Sequence, residues 1–289
     1  MKKCNECAYI FDNQEWKCPN CQYNPNLING CLSFAPEIID KVESYDPIFF
    51  AKLAKVEAKN FWFRSRNRLI IWAIKKFFPN QKNFLEIGCG TGFVLSGLEK
   101  SFSQLQLSGS EIFTQGLEFA SQRLNRTQLF QMDALHIPFE DEFDGIGAFD
   151  VLEHIQEDHL VLGQIYQALK PQGSLILTVP QHPWLWSQAD DHAFHVRRYQ
   201  SQDLKRKVQE AGFKIVKMTS FVSLLLPLMI LSRFSQRREQ ENYDPLNEFK
   251  ISSWLNVTLE FILSIERQMI QSGVSFPWGG SLLLVAIKI

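Results

Sequence analysis

Residues 83–98, NFLEIGCGTGFVLSGL, decide the reading of this chain. Phe84, Leu85 and Ile87 form an apolar run that breaks at Gly88, Gly90 and Gly92 and resumes at Phe93, Val94, Leu95 and Leu98. A short apolar run, closely spaced glycines and a second apolar run predict a buried parallel strand, a tight turn and a helix. Glycine reaches backbone angles closed to other residues. Having no Cβ, it also lets a ligand lie against the main chain at the positive end of the helix. A loop so made holds a nucleotide-like cofactor.

Spacing narrows the choice of cofactor. The dinucleotide fingerprint is G-x-G-x-x-G, whereas here the glycines alternate and Glu86 precedes the first of them. E-x-G-x-G-x-G is followed by Glu111 at the end of LQLSGSEI and by Asp133 in LFQMDA. This order resembles the class I S-adenosylmethionine-dependent methyltransferases, over about residues 80–220. The resemblance implies a doubly wound, mostly parallel seven-stranded α/β sheet that binds S-adenosylmethionine. Gly88, Cys89, Gly90 and Gly92 would meet the cofactor through the loop, Glu111 and Ile112 at the ribose, and Asp133 and Ala134 at the adenine. Phe149 and Asp150 would border the sulfonium. The physical logic agrees. A carboxylate at a strand lip accepts two hydrogen bonds from a ribose hydroxyl pair, and Glu86 can orient an ammonium directly or through water.

A chain of 289 residues, 45% hydrophobic and with a net charge of -1, holds one substantial core with appendages. Charge is uneven along it. Residues 133–158 carry nine acids and no Lys or Arg, while 52–82 carry nine Lys or Arg against the single Glu57. The first stretch makes an acidic lip suited to a sulfonium, and the second reads as a solvated helix face. No secretory signal pattern opens the sequence, so a reducing, cytoplasmic setting is expected, where paired cysteines bind metal more often than they form disulfides.

Cys4-x2-Cys7 and Cys18-x2-Cys21 supply four thiolates for one structural zinc. A unit of this size cannot bury enough to fold alone, and the metal takes the place of a core. The expected organisation is a zinc-ribbon-like segment over 1–31, a helical cap over 32–82, the Rossmann-like core over 83–220, a helical insertion over 221–280 and a last core strand over 281–289. The polar residues 20–29 read as a linker. Tyr45 to Phe78 has helical periodicity, and its Phe61-Trp62-Phe63-Arg64 is similar to the segment that caps the cofactor cleft in the family. Strands are expected near 83–88, 105–111, 128–132, 143–149, 173–180, 213–220 and 281–289, with Pro171-Gln172-Gly173 as a turn before the fifth.

Two segments after strands concern chemistry. AFDVLEHIQED follows the fourth and resembles the segment of methyltransferases that act on quinone precursors and other small acceptors. It presents Glu153 and His154. After the fifth comes a stretch dense in His182, Trp184, Trp186, Asp190, Asp191, His192, His195, Arg198 and Tyr199. Methyl transfer depends on alignment and exclusion of water, and a hydroxyl acceptor also needs a base. His154 and His195 are the catalytic candidates, and a divalent metal among Glu153, His154 and the loop histidines is an open alternative.

The insertion begins FVSLLLPLMIL, too short to span a bilayer, followed by Arg233, Arg237 and Arg238, an Asn-Tyr-Asp-Pro turn at 242–245 and the helical run from Ser252 to Ile270. Residues 221–238 are a candidate membrane-surface contact or seat for a lipid-like acceptor, and equally a helical insert packed over the site. The expected activity is methyl transfer to oxygen or carbon of a small or lipid-linked acceptor. The alternatives are a structured-RNA methyltransferase and a scaffold that keeps only the fold. Residues 1–31 balance three Lys against three acids, so the ribbon lacks the basic footprint that nucleic acid requires.

Overall fold

The computed structural model of the chain describes residues 1–38, 47–235 and 250–289, with the side chains of 47–48 and 234–235 excepted. Tyr45, Arg237, Arg238 and the 242–245 turn therefore lie outside the described residues.

Seven strands form where the apolar runs place them: β5 (Asn83–Ile87), β6 (Gln106–Glu111), β7 (Gln128–Gln131), β8 (Phe143–Phe149), β9 (Leu169–Pro180), β10 (Phe213–Phe221) and β11 (Ser281–Lys288). β5 to β9 pair in parallel and β11 runs antiparallel between β9 and β10, giving a doubly wound sheet. Only β9 departs from the expected limits by more than one residue. It begins at Leu169, and the expected turn is a kink inside the strand, with Gln172 at φ 63°.

The sheet is also longer than the seven strands expected. A ribbon of β1 (Lys2–Lys3) and β2 (Ile10–Phe11) leads into a hairpin of β3 (Asn26–Ile28) and β4 (Cys31–Ser33), and β4 pairs in parallel with β7. Residues 20–29 are thus not simply a linker. Asn29 and Gly30, at φ 51° and 81°, make the two-residue left-handed turn that Asn-Gly favours between short strands. The sheet order becomes β10-β11-β9-β8-β5-β6-β7-β4-β3, nine strands among the described residues.

Alternation along the strands builds two cores. Leu85, Ile87, Ile146, Leu175 and Leu284 face α5 (Asp158–Ala168) and α7 (Ser201–Glu210). Phe84, Ile176, Leu283 and Val285 face α2 (Phe61–Phe77), α3 (Phe93–Ser101), α4 (Thr114–Arg123) and α9 (Ser253–Gln271). Both faces are covered, as a parallel sheet requires. Truncating a fully buried Leu such as Leu85 costs about 2–5 kcal/mol. The same period of two puts Glu86 on the Phe84 face, under α2.

The helical cap and the insertion are bolted to each other. The Asn60 side chain accepts from Trp62 N at 2.9 Å to start α2, and Asn256 of α9 accepts from Phe61 N at 2.8 Å. Arg64 and Arg68 both pair with Glu260. In turn Glu266 accepts from the backbone N–H groups of Val222, Ser223 and Leu224 at 2.6–2.7 Å, just before α8 (Leu226–Ser235). The aromatic run at 61–63 is packing, with the Phe63 ring 6.2 Å from Phe93. The element that lies over the glycine loop is α1 (Pro47–Val56), through Phe50. Among the described residues no helix is long and apolar enough to cross a membrane.

Candidate functional site

The loop after β5 turns through Gly88, Gly90 and Gly92, all in the left-handed region. At Gly88 a Cβ would stand 2.5 Å from Val151 Cγ2, and at Gly92, where α3 begins, 2.9 Å from Leu124 Cδ1. No L side chain fits at either position. Cys89 N donates to Ser110 O at 2.9 Å, tying the loop to β6, while the buried thiol sits among Leu95 and Gly109 and is pushed well up by desolvation.

Three acids gather at the strand ends. Glu111 accepts from Gly90 N (2.9 Å), Ile112 N (2.8 Å) and Phe113 N (3.2 Å), so it holds the loop as well as facing it. Burial raises its pKa and those backbone bonds oppose the rise. Asp133 accepts from Leu135 N at 2.9 Å and meets His136 Nδ1 at 3.2 Å, with Ala134 buried beside it. Glu86 is buried and its Oε2 has no hydrogen-bond partner among the described residues. Desolvation lifts its pKa well above the usual range, against the pull of Arg66.

Arg66 is the residue that sequence reasoning missed. It reaches from α2 to pair with Asp150, lies 4.6 Å over the Trp62 ring, and keeps an unpartnered Nε beside Glu86. Its signal was present, because Trp62 and Arg66 are one helical turn apart, the spacing for a cation over a ring. Glu57 was missed likewise. It accepts from Thr91 Oγ1 (2.7 Å) and Arg123 Nη1 (2.8 Å), fastening the end of the cap to the glycine loop. Phe50 packs against the same loop and against α4, its Cε1 3.9 Å from where a Gly90 Cβ would stand and 3.0 Å from where a Gly116 Cβ would stand. Asp150 exits β8 at φ 58°, a conformation costly for a non-glycine residue, and receives a hydrogen bond from Thr178 Oγ1 at 3.2 Å. The Phe149 ring turns into the α2 face, near Gly147 and Phe84.

Beyond Asp150 the structure brings Glu153, His154 and His195 together. The His154 and His195 rings meet edge to face with centroids 4.7 Å apart, and His195 Nε2 stands 4.0 Å from Glu153 Oε1. His195 Nδ1 contacts Asp190 Oδ1 at 2.9 Å, and Arg198 Nε donates to the same oxygen at 2.7 Å. Burial pushes the Glu153 carboxyl up to about 8, despite Arg66 and Arg198. Burial, then the neighbouring His195, hold His154 down to about 3. Burial opposes ionisation of Asp190, but the His195 bond and Arg198 outweigh it and bring Asp190 to about 2. The two segments are held by Val196 N donating to Glu153 O (2.8 Å) and by Arg197 donating to Ile155 O and Gln156 O (2.8 Å each).

At the N-terminus Cys4, Cys7, Cys18 and Cys21 converge, with Sγ–Sγ distances of 3.5 Å (Cys4 to Cys21) and 3.7 Å (Cys7 to Cys18). Thiolates bound tetrahedrally at ~2.3 Å lie ~3.8 Å apart, so the four sulfurs fit one zinc ion. A hydrogen bond from Asn20 (3.4 Å) helps draw the Cys7 thiol down to about 6. The ribbon is joined to the core: Lys3 N donates to Pro138 O at 3.0 Å, and Trp16 packs edge-on against Phe34 and Phe139.

Comparison with known proteins gives a consistent picture. A family model described as a methyltransferase domain matches residues 57–218. A malonyl-[acyl-carrier protein] O-methyltransferase of Priestia megaterium is 27% identical over 114 residues, 39% of this chain and 42% of that protein. An uncharacterized protein of Methanocaldococcus jannaschii is 29% identical over 206 residues, 68% of this chain and 84% of that one. Phosphoethanolamine N-methyltransferase 2 of Haemonchus contortus, solved with S-adenosyl-L-methionine, superposes with a TM-score of 0.57 at 20% identity. It covers 87% of this chain and 59% of its own, a likeness of fold. The match thus spans less than half of the Priestia relative and about three fifths of the Haemonchus chain.

Proposed function

The chain belongs to the methyltransferase-domain family, and from that premise we propose that it transfers a methyl group from S-adenosylmethionine to an oxygen or carbon of a small or lipid-linked acceptor. The observation that carries the reading is the placement of Asp133, Glu111, the glycine loop and Asp150 at the carboxyl ends of the adjacent strands β7, β6, β5 and β8, with Glu153, His154 and His195 on the segments that follow β8 and β9. S-adenosylmethionine supplies an electrophilic methyl carbon on a sulfonium. Glu111 and Asp133 hold its ribose and adenine, with Ile112 and Ala134 beside them. Glu86 Oε2 and Arg66 Nε, each buried and without a hydrogen-bond partner among the described residues, suit the ammonium and carboxylate of its methionine part. Asp150 and the main chain of Phe149 border the sulfonium. His154 and His195 face the acceptor and manage the loss of its proton, and Asp190 fixes the His195 ring. The relative named for O-methylation of a malonyl group supports an oxygen acceptor.

Cys4, Cys7, Cys18 and Cys21 hold one structural zinc, because four thiolates leave no open position for catalysis. Elemental analysis of freshly purified protein should give one zinc per chain. A zinc-free, folded ribbon would reject the site. The exposed Leu228 and Leu231 of α8, with Trp254, Val257 and Phe261 of α9, supply an apolar surface for a lipid-linked acceptor or a membrane. Cosedimentation with vesicles tests that surface, and a protein left wholly in the supernatant would remove it. For the central claim, S-adenosylhomocysteine should raise the melting temperature and NADH should not. The reverse result would overturn it.

A further inference from the structure

We infer that Glu153, His154 and His195 form a binding site for one divalent cation of the manganese, iron, cobalt and zinc class, separate from the cysteine site. Each residue offers one ligand atom, and these atoms all lie within 4.8 Å of one another. Two imidazoles and one carboxylate are a donor set that such ions accept, with positions left open for other ligands.

Glu153 is the independent observation. It is 0% exposed, and neither of its carboxylate oxygens has a hydrogen-bond partner among the described residues. A bare carboxylate there would cost several kcal/mol, so without a partner the group stays protonated, and a cation displacing that proton would supply the partner that the protein does not. The two nearest guanidinium groups do not supply it. Arg66 is paired with Asp150, and Arg198 with Asp190.

The surroundings orient the imidazoles as ligands. Asp190 Oδ1 lies 2.9 Å from His195 Nδ1, which leaves Nε2 directed toward Glu153 at 4.0 Å. The Ser187 backbone N–H (2.9 Å) and Arg198 hold Asp190 in turn. His154 hydrogen-bonds the backbone of Ala193, on the loop that carries His195. A carboxylate behind a histidine, with that carboxylate itself fixed, is the usual outer support of a metal site. The role of the ion rests on the methyltransferase reading above. At the acceptor face its open positions would take the acceptor's oxygen atoms and lower the cost of their deprotonation, and with the ion bound the two imidazoles serve as its ligands rather than as bases.

The test is a titration of zinc-replete protein with Mn2+, followed by the loss of the free-ion electron paramagnetic resonance signal. Manganese prefers nitrogen and oxygen donors and does not compete for the thiolates. One saturable equivalent per chain is expected. E153Q and H195A should each abolish it, and D190N should weaken it by about 10- to 100-fold. Circular dichroism checks that each variant is folded, and H154A, at a partly exposed position, should weaken binding without risk to the core. No saturable binding of Mn2+ or Co2+ by the folded wild type, or binding unchanged in folded E153Q and H195A, overturns the site. S-adenosylhomocysteine affinity, measured on the same samples, separates the two claims. If it persists without metal binding, only the cation falls; if both are absent, the cleft reading falls with it.

Discussion

The two ends of the proposed site are built by opposite means. At the end assigned to the cofactor the acid is already satisfied by the main chain: Glu111 takes three backbone N–H groups, one of them from Gly90 in the loop it supports. At the acceptor end Glu153 is buried with bare oxygens, and the groups around it come from two segments some forty residues apart in sequence. A site made from main-chain bonds survives changes in its side chains better than one made from side chains alone. In the proposed reading the first end defines where the ligand lies, and the second is free to define what is done to it.

That contrast predicts a split in mutational effects, largest at the acceptor end. H195A should lower transfer of label from methyl-labelled S-adenosylmethionine to acceptor by about 100-fold or more. Its affinity for S-adenosylhomocysteine, measured by calorimetry, should stay within about twofold, because among the described residues no hydrogen bond links His195 to Glu111, Asp133 or the glycine loop. Parallel losses in both quantities would break the distinction between the two ends.

Next in size is E111A, which should weaken S-adenosylhomocysteine binding by about 1.5–3 kcal/mol, as expected for charge-assisted bonds. It removes the acceptor of three backbone donors, so the melting temperature should fall as well. E111Q, which keeps one acceptor oxygen, should recover part of the stability and less of the affinity. Unchanged affinity in E111A would show that the ribose lies elsewhere.

The same contrast explains what was legible in the sequence. β5, its glycines, Glu86, Glu111 and Asp133 follow from local pattern, because an apolar run and a glycine turn specify their own geometry and the acids stand at strand ends. Arg66 and Glu57 did not follow. Each lies in a stretch whose charge suits a solvated helix, and only tertiary packing turns Arg66 toward Asp150 and Glu57 toward Thr91. The hairpin at β3 and β4 did carry a local signal, Asn29-Gly30, but the polar residues around it obscured so short a strand. Glu153, His154 and His195 were each visible as candidates. Their meeting was not, because it depends on how the loop after β9 folds back.

Asp158 holds that fold-back together, and it gives the smallest and most discriminating prediction. It accepts from Tyr199 Oη (2.6 Å), Arg197 (2.7 Å) and Lys207 (2.6 Å), linking the segment of Glu153 and His154 to that of His195. Burial alone would raise the Asp158 pKa. The hydrogen bonds from Lys207 and Tyr199 and the charge of Arg197 more than reverse this, so its pKa lies below the ordinary value. A carboxyl depressed in the folded state contributes stability that is fully present above its unfolded pKa, near ~3.9, and is lost as pH falls through the lower folded value. D158N should therefore cost about 1–3 kcal/mol at pH 7, read as a lower urea midpoint. The gap between variant and wild type should narrow steadily once the pH drops below about 4. Since among the described residues no bond links Asp158 to Glu111, Asp133 or the glycine loop, S-adenosylhomocysteine affinity at pH 7 should hold while acceptor methylation declines. A midpoint difference that is flat from pH 7 to pH 3 would mean that the carboxylate charge does not brace the loop, and the acceptor end would then have to be held by its backbone bonds alone.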